Sequence, residues 1–166
     1  MAGALIVTAE IGPSDFSWLE GLRRAHFPPE RNQLSAHLTM FHALPPSIEI
    51  ELRSRLARSV SRRAPVATIS GLMDLGGGVA FRIVSPDLDR LRGELAQDLH
   101  GLLSAQDSAG WRPHVTIQNK VPPKAARALK QSLEQSFAPR PLAIAGVGLH
   151  RYLGGPWERL AVYTFR

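Results

Sequence analysis

The sequence predicts an α+β fold of two similar lobes, each with a mostly antiparallel sheet flanked by helices, arranged around a central cleft. The first observation is a repeated motif, because His37-Leu38-Thr39-Met40 recurs 77 positions later as His114-Val115-Thr116-Ile117. The second is that apolar residues beyond the motifs recur at the same offset, which pairs Leu52 with Leu129, Leu56 with Leu133, and Val60 with Phe137. The third is that strands and helices are predicted in the same order in both halves.

The elements of the first half follow from periodicity and from turn residues. Residues 35–43 alternate between apolar and polar side chains as a strand does, and Pro45-Pro46 suits the first turn of a helix. Gly76-Gly77-Gly78 indicates a turn between two strands. The predicted elements are, in order, a strand at 4–10, a helix at 14–25, a strand at 35–43, a helix that begins at Pro45-Pro46, and strands at 66–75 and 79–84.

The second half repeats this order. Leucines spaced three or four residues apart give residues 87–103 one apolar face, which predicts a helix. The elements that follow are a strand at 113–120, a helix at 123–137, and strands at 142–152 and 157–165. Because no long linker separates the halves, we expect residues 1–166 to form one domain of two pseudo-symmetric lobes, with one motif in each, at 37–40 and at 114–117.

Composition excludes several classes of protein. Hydrophobic residues make up 44 % and charged residues 20 % of the chain, as in ordinary globular domains. The chain has no cysteine, which excludes disulfides, thiol nucleophiles and cysteine zinc sites. No stretch resembles a signal peptide or reaches the length of a membrane span, so we expect a cytoplasmic protein without membrane contact. The net charge of +6 agrees with an anionic partner but equally with an arginine-rich solvated surface.

The two motifs place the same side chains on one strand face. Residues two apart in a strand point to the same side, so His37 and Thr39 share a face, as do His114 and Thr116. The opposite faces are apolar and suit a core. If the lobes are related by a pseudo-twofold axis, the two strands face each other across the cleft, and a phosphate between them would meet two imidazoles and two hydroxyls.

This set of groups suits phosphodiester chemistry. A neutral histidine can take a proton from the attacking oxygen while a protonated one gives a proton to the leaving oxygen, because both forms of histidine coexist near neutrality. The threonines can donate hydrogen bonds to non-bridging phosphate oxygens. No metal or other cofactor is required, and no carboxylates cluster around either motif. The spacing of the motifs does not decide which histidine is the acid and which the base.

These residues resemble the 2H phosphoesterases, which carry one H-x-T-x motif in each half of a small duplicated domain. The resemblance is to the LigT-like group, which includes 2′-5′ RNA ligases and RNA 2′,3′-cyclic phosphodiesterases, and it covers nearly the whole chain. It implies a bilobal fold, no cofactor, and catalysis by His37 and His114 with Thr39 and Thr116 on the phosphate. The residues after the motifs, Phe41-His42 and Gln118-Asn119-Lys120, depart from those of many LigT-like members.

Four further residues are candidates for substrate binding. Alternation along the strands would place Phe41, Gln118 and Lys120 on the histidine faces. Phe41 would stack on a base or, as the alternative, pack in the core. Gln118 and Lys120 would offer polar contacts, unless Lys120 is only a solvated strand end. The repeat and the family resemblance suggest that Tyr152 borders the cleft, whereas His42 is expected on the opposite face in a structural role.

The sequence therefore predicts an enzyme that hydrolyses RNA 2′,3′-cyclic phosphate ends or small cyclic nucleotides to 2′-phosphates. The resemblance also implies a possible reverse reaction, 2′-5′ RNA ligation. The alternative is a non-catalytic nucleotide- or RNA-binding module on the same fold, and a third hypothesis is a metal-dependent phosphatase. We expect an RNA end or a nucleotide as the partner, no metal, and a monomer.

Overall fold

A computed structural model describes residues 3–166, which contain seven β-strands and five α-helices. The strands are β1 (Leu5–Ile11), β2 (Leu38–Leu44), β3 (Val66–Asp74), β4 (Val79–Val84), β5 (His114–Gln118), β6 (Arg140–Tyr152) and β7 (Trp157–Thr164). The helices are α1 (Pro13–His26), α2 (Glu49–Ser59), α3 (Pro86–Asp98), α4 (Ala105–Ser108) and α5 (Pro123–Glu134).

The strands form a seven-stranded sheet in which every neighbouring pair is antiparallel. Its order is β2-β1-β6-β3-β4-β5, and β7 also pairs with β6. The 13-residue strand β6 serves both halves, because Ile144 to Arg151 pair with β1 whereas Arg140 to Ala143 pair with β3. The predicted α+β class with antiparallel strands is confirmed, and the strands of the two halves share β6.

The two motif strands lie at opposite ends of this strand order, yet they approach each other in space. Cα atoms of β2 and β5 come within 8 Å of one another. Just before β5, the indole Nε1 of Trp111 donates a 2.9 Å hydrogen bond to the carbonyl oxygen of Thr39 in β2. The sheet therefore curves until its first and last strands are neighbours without pairing.

Helices pack against strands of the sheet. α1 lies against β5, α3 against β3, and α5 against β3 and β4. The start of α3 is fixed by Ser85, whose hydroxyl accepts a 3.0 Å hydrogen bond from the backbone N–H of Leu88, and by Pro86 in the first turn. Leucines of α1, α2 and α3 are fully buried, among them Leu19, Leu52, Leu56, Leu88 and Leu91.

Element boundaries differ from the sequence prediction at a few places. α3 ends at Asp98 rather than near 103, because the chain turns at Gly101 with a positive φ of 85°. A 3-10 turn, Pro46–Ile48, precedes α2, and the short helix α4 was not predicted. His37 comes just before β2, which begins at Leu38. No helix among residues 3–166 is both long and apolar enough to cross a membrane.

Both motif strands contain an irregularity at the same position of the repeat. The pairing of β1 with β2 passes from Thr8–Thr39 to Val7–Phe41 and skips Met40. The pairing of β4 with β5 passes from Ala80–Thr116 to Val79–Gln118 and skips Ile117. A β-bulge of this kind turns two consecutive side chains to the same face, so alternation fails beyond the fourth residue of each motif.

Candidate active site

Each motif histidine is oriented by a backbone carbonyl two residues upstream. His37 Nδ1 lies 2.7 Å from the carbonyl oxygen of Ser35, and His114 Nδ1 lies 2.7 Å from that of Arg112. Because a carbonyl only accepts, Nδ1 carries the proton in both rings. Nε2 of each ring is then the nitrogen left to exchange a proton with a substrate.

The electrostatic surroundings of His37 favour its neutral form. Burial of the ring lowers the pKa of His37 to about 4, against the opposing effect of the Ser35 hydrogen bond. The positive charge of Arg23 lowers this pKa further, and His150 and His114 act in the same direction. The influence of His114 agrees with the approach of the two motif strands. At neutral pH, Nε2 of His37 is therefore a free lone pair, as a general base requires.

A cavity of about 540 Å³ opens beside His37 on the face of β1, β6 and β7. We call it the His37 cavity; its lining includes Phe16, Gln33, His37, His150, Trp157 and Arg159. The indole of Trp157 lies between two imidazoles, with ring centroids 4.8 Å from His37 and 5.4 Å from His150. The wall of this cavity is thus partly aromatic and partly polar.

A hydrogen-bond chain fixes the polar side of the cavity. The Thr8 hydroxyl donates to Glu10 Oε2 at 3.0 Å and lies 2.9 Å from His150 Nε2. Since that hydroxyl has one proton, His150 must donate to it through Nε2–H. Arg159 pairs with the other oxygen of Glu10. Gly148 leaves room for the chain, because a Cβ there would lie 2.6 to 2.9 Å from Glu10, Thr8 and His150 side-chain atoms.

Arg82 supplies a positive charge beside His114. It lies directly opposite His114 in the pairing of β4 with β5, so the two side chains share a face. Arg82 is exposed, and it forms no ion pair with any residue in the described part of the chain. It is therefore placed to meet an anion bound at His114.

Three of the four principal predicted residues lie on the two neighbouring strands, and the fourth, His37, lies immediately before β2. Thr39 and Thr116 are half-buried, and their backbone carbonyls accept hydrogen bonds from Trp111 Nε1 and from Arg23 Nη1 respectively. His37 precedes β2, and His114 begins β5. The catalytic and phosphate-binding roles of these residues stay predictions.

The expectation that Phe41 and Gln118 share the histidine faces is wrong. Phe41 is fully buried, and the guanidinium of Arg92 lies 4.5 Å from the centre of its ring. The packing alternative therefore holds for Phe41. Gln118 is 7 % exposed, and its Oε1 finds no hydrogen-bond partner within residues 3–166. The bulges at Met40 and Ile117 are the physical reason, because they turn the following residue into the core.

Lys120 and Tyr152 lie at strand ends. Lys120 is exposed beyond the end of β5 and has a positive φ of 62°, the only non-glycine residue in 3–166 with this conformation. Tyr152 ends β6, opposite Trp157 of β7, and is not part of the lining of the His37 cavity. Substrate contacts by either residue stay predictions.

His42 has the structural contacts expected of it. Its Nδ1 lies 2.9 Å from Oδ1 of the buried Asp107, and its backbone N–H donates to the same carboxylate. The backbone N–H of Ala43 also donates to Asp107, at 3.2 Å. Asp107 thereby accepts hydrogen bonds from backbone N–H groups of β2 at the place where the pairing of β2 with β1 is irregular.

Sequence reasoning missed several residues of the site, namely Trp157, His150, Arg159, Arg82 and Arg23. Only Arg82 had a usable signal, because antiparallel pairing of two predicted strands could have placed it opposite His114. The others come from helices and strands whose position relative to the motifs depends on the tertiary fold. Among residues 3–166, no three histidine or acidic side chains are grouped closely enough to hold a metal ion.

The curved antiparallel sheet, with one oriented histidine at the start of each of its two end strands, is the fold of the LigT-like 2H phosphoesterases. The sequence-family model of the 2′-5′ RNA ligase superfamily matches residues 11–156 of the chain. The chain therefore belongs to this superfamily. No curated protein sequence is significantly similar to the chain.

Solved structures show the same fold at low identity. TT0787 of Thermus thermophilus is 16 % identical, with 98 % of each chain covered and a TM-score of 0.65. E. coli LigT complexed with NADP+ is 16 % identical, with 99 % of each chain covered and a TM-score of 0.63. E. coli LigT complexed with 3′-AMP is 15 % identical, with 99 % of each chain covered and a TM-score of 0.61. At this distance the likeness concerns the fold.

Proposed function

We propose that the protein is a metal-independent phosphodiesterase that hydrolyses RNA 2′,3′-cyclic phosphate ends, or small cyclic nucleotides, to 2′-phosphates. The observation that carries the proposal is the matched orientation of His37 and His114, each with Nδ1 held by a carbonyl and Nε2 left for the substrate. Superfamily membership and the nucleotides bound in the LigT structures agree with a substrate of this class.

The two histidines take different roles in this proposal. Neutral His37 accepts a proton from a water molecule through Nε2 as that water attacks phosphorus. His114 donates the proton on its Nε2 to the 3′ oxygen as the bond from phosphorus to that oxygen breaks. A 2′-phosphate remains, and each histidine has exchanged its protonation state. The lowered pKa of His37 supports this assignment, because the base must be unprotonated before the attack.

Three donors stabilise the negative charge at phosphorus. The hydroxyls of Thr39 and Thr116 donate to the non-bridging oxygens, and the guanidinium of Arg82 neutralises charge beside His114. The reverse reaction, 2′-5′ ligation, uses the same groups in the opposite order.

We also propose that residues 1–166 act as one domain of two lobes. The protein would act as a monomer in the cytoplasm and without a cofactor. Residues 1 and 2 lie outside the described residues.

Hydrolysis of defined substrates in EDTA tests the proposal. An oligonucleotide ending in a 2′,3′-cyclic phosphate and the four 2′,3′-cyclic mononucleotides would be incubated with the protein and with the His37→Ala and His114→Ala variants. We expect a 2′-phosphate product, full activity in EDTA, and a loss of about 10²- to 10⁴-fold in each variant. A 3′-phosphate product, or activity that depends on added metal, would contradict the mechanism.

A nucleotide-binding module without turnover is the second candidate, and the His37 cavity favours it because its lining could hold a nucleotide whether or not the histidines react. The His37→Ala/His114→Ala double variant separates the two. A binding module should keep most of its affinity for 3′-AMP and show no turnover even as the wild type. An enzyme should lose turnover while its folding transition is preserved.

A further inference from the structure

We propose that the His37 cavity is a nucleoside subsite, in which the base of the nucleotide that carries the reacting phosphate stacks on Trp157. The inference rests on the proposed function for the position of that phosphate. It adds a binding surface beyond the motif residues, built from β1, β6, β7, the start of α1 and the segment before β2.

The dimensions of the cavity suit this occupant. Its volume of about 540 Å³ falls within the range of small-molecule sites, roughly 300 to 1,000 Å³. Phe16, Leu34 and Trp157 contribute apolar surface, and Gln33 brings an amide that can both donate and accept hydrogen bonds at a base edge. An aromatic wall with a few polar groups is the usual composition of a site for a flat heterocycle.

The position of Trp157 relative to His37 fits a single nucleotide. The two ring centroids are 4.8 Å apart, so a base in contact with the indole would lie close to the imidazole. The ribose would then lead from the base toward the cleft, where Nε2 of His37 meets the phosphate. Base–aromatic stacking tolerates all four bases, because each has a π-face, so this contact predicts affinity without strict base preference.

The stacking surface is held in place before a ligand arrives. Trp157 contacts the imidazole of His150, with 5.4 Å between ring centroids, and His150 is 8 % exposed and hydrogen-bonded to the buried Thr8. The base would therefore meet an indole whose orientation is already restricted by buried neighbours. Such preorganisation lowers the entropy lost on binding.

The distribution of charge favours a base over a second phosphate in this cavity. Arg159 is paired with Glu10, so the positive charge at the cavity is already neutralised. Burial lowers the pKa of His150, and the nearby Arg159 adds to this effect against the opposing charge of Glu10, which favours the neutral ring. Arg82, without a carboxylate partner among residues 3–166, lies instead on the His114 side.

Calorimetric titration of four proteins with two ligands tests the subsite. The proteins are the wild type, Trp157→Ala, Trp157→Phe and the matched control Trp18→Phe; Trp18 packs against Phe81 and Arg140 and is not part of the cavity lining. The ligands are 3′-AMP and inorganic phosphate. We expect Trp157→Ala to weaken 3′-AMP binding at least tenfold and leave phosphate binding unchanged, with Trp157→Phe intermediate and Trp18→Phe like the wild type.

The outcomes distinguish stacking from other roles of Trp157. An equal loss for 3′-AMP and phosphate would overturn the subsite, because it would mean that Trp157 only orients His37. Unchanged 3′-AMP binding in Trp157→Ala would overturn it as well. The proposed function can fail independently of the subsite. If the wild type binds 3′-AMP through Trp157 but hydrolyses no cyclic phosphate, the subsite is supported and the hydrolytic reaction is contradicted.

Discussion

Arg23 on α1 donates a hydrogen bond from Nη1 to the carbonyl oxygen of Thr116, 3.0 Å away, although the two residues belong to different halves of the repeat. Arg92 on α3 makes the reciprocal contact, from Nε to the carbonyl oxygen of Met40 at 3.2 Å. Both arginines are buried, at 4 % and 9 % exposure. Each motif strand is therefore held by a helix from the other half.

Arg23→Gln should destabilise the protein and raise the pKa of His37. The variant leaves the carbonyl of Thr116 and the side chain of Asn32, the second partner of Arg23, without their donor. We expect a loss of about 1–3 kcal/mol in the free energy of unfolding, measured in urea. The pKa of His37 should rise, because the positive charge of Arg23 lowers it, and NMR titration of the imidazole would show this. Arg24→Gln, whose side chain is 77 % exposed, should change neither quantity.

The pH dependence of kcat/KM should reflect the lowered pKa of His37. A base with a pKa of about 4 stays neutral down to mildly acidic pH, so activity should fall only as the pH drops through about 4. An unperturbed histidine would already lose activity near 6.5. An acidic limb near 6.5 on cyclic phosphate substrates would rule out His37 as a base with this pKa.

The free energy of unfolding should also depend on pH because of the lowered pKa of His37. Between about 4 and 6.5, the unfolded chain binds a proton at position 37 that the folded protein does not bind. This group therefore makes stability fall as the pH falls through that window, and His37→Ala should remove this part of the dependence. Urea unfolding of the two proteins across the window measures it.

Thr39→Val and Thr116→Val should each reduce kcat on cyclic phosphate substrates about 10²-fold, with smaller changes in KM. Valine keeps the shape and the strand preference of threonine but has no hydroxyl to donate to a phosphate oxygen. Thr68→Val, at a half-buried strand position outside both motifs, is the matched control and should remain active. Wild-type rates in both motif variants would show that the threonines contribute only their shape.

Arg82→Gln should raise KM about tenfold on cyclic phosphate substrates, and the effect should shrink as salt is added. The reason is its exposed guanidinium opposite His114 in the sheet, which has no ion-pair partner among residues 3–166. Arg90→Gln removes an equally positive side chain from the exposed face of α3, with 67 % exposure, and should leave KM unchanged. A salt-independent loss in Arg82→Gln would point to a structural defect instead.

The repeat made much of this fold predictable. A tetrapeptide that recurs with its surroundings indicated two similar sets of elements, and strand periodicity placed His37 with Thr39 and His114 with Thr116. The α+β class and the antiparallel pairing followed from the same pattern. The features that could be predicted were those determined by a short stretch of sequence or by the repeat.

The remaining features depend on contacts that no local pattern encodes. Phe41 looked like a cleft residue because alternation was carried through Met40, where the backbone bulges. Trp157 and His150 reach His37 only because β7 pairs with β6 and β6 pairs with β1. Arg23 looked like one of many helix arginines, since its partner is 93 positions away in the chain.

The exchange of arginines between the halves has a consequence for the independence of each repeat. The first repeat alone would leave Arg23 without its acceptor at Thr116, and the strand β2 without the donor Arg92. It would also lack β6, which pairs with both β1 and β3. We therefore expect the two halves to form a stable structure only together.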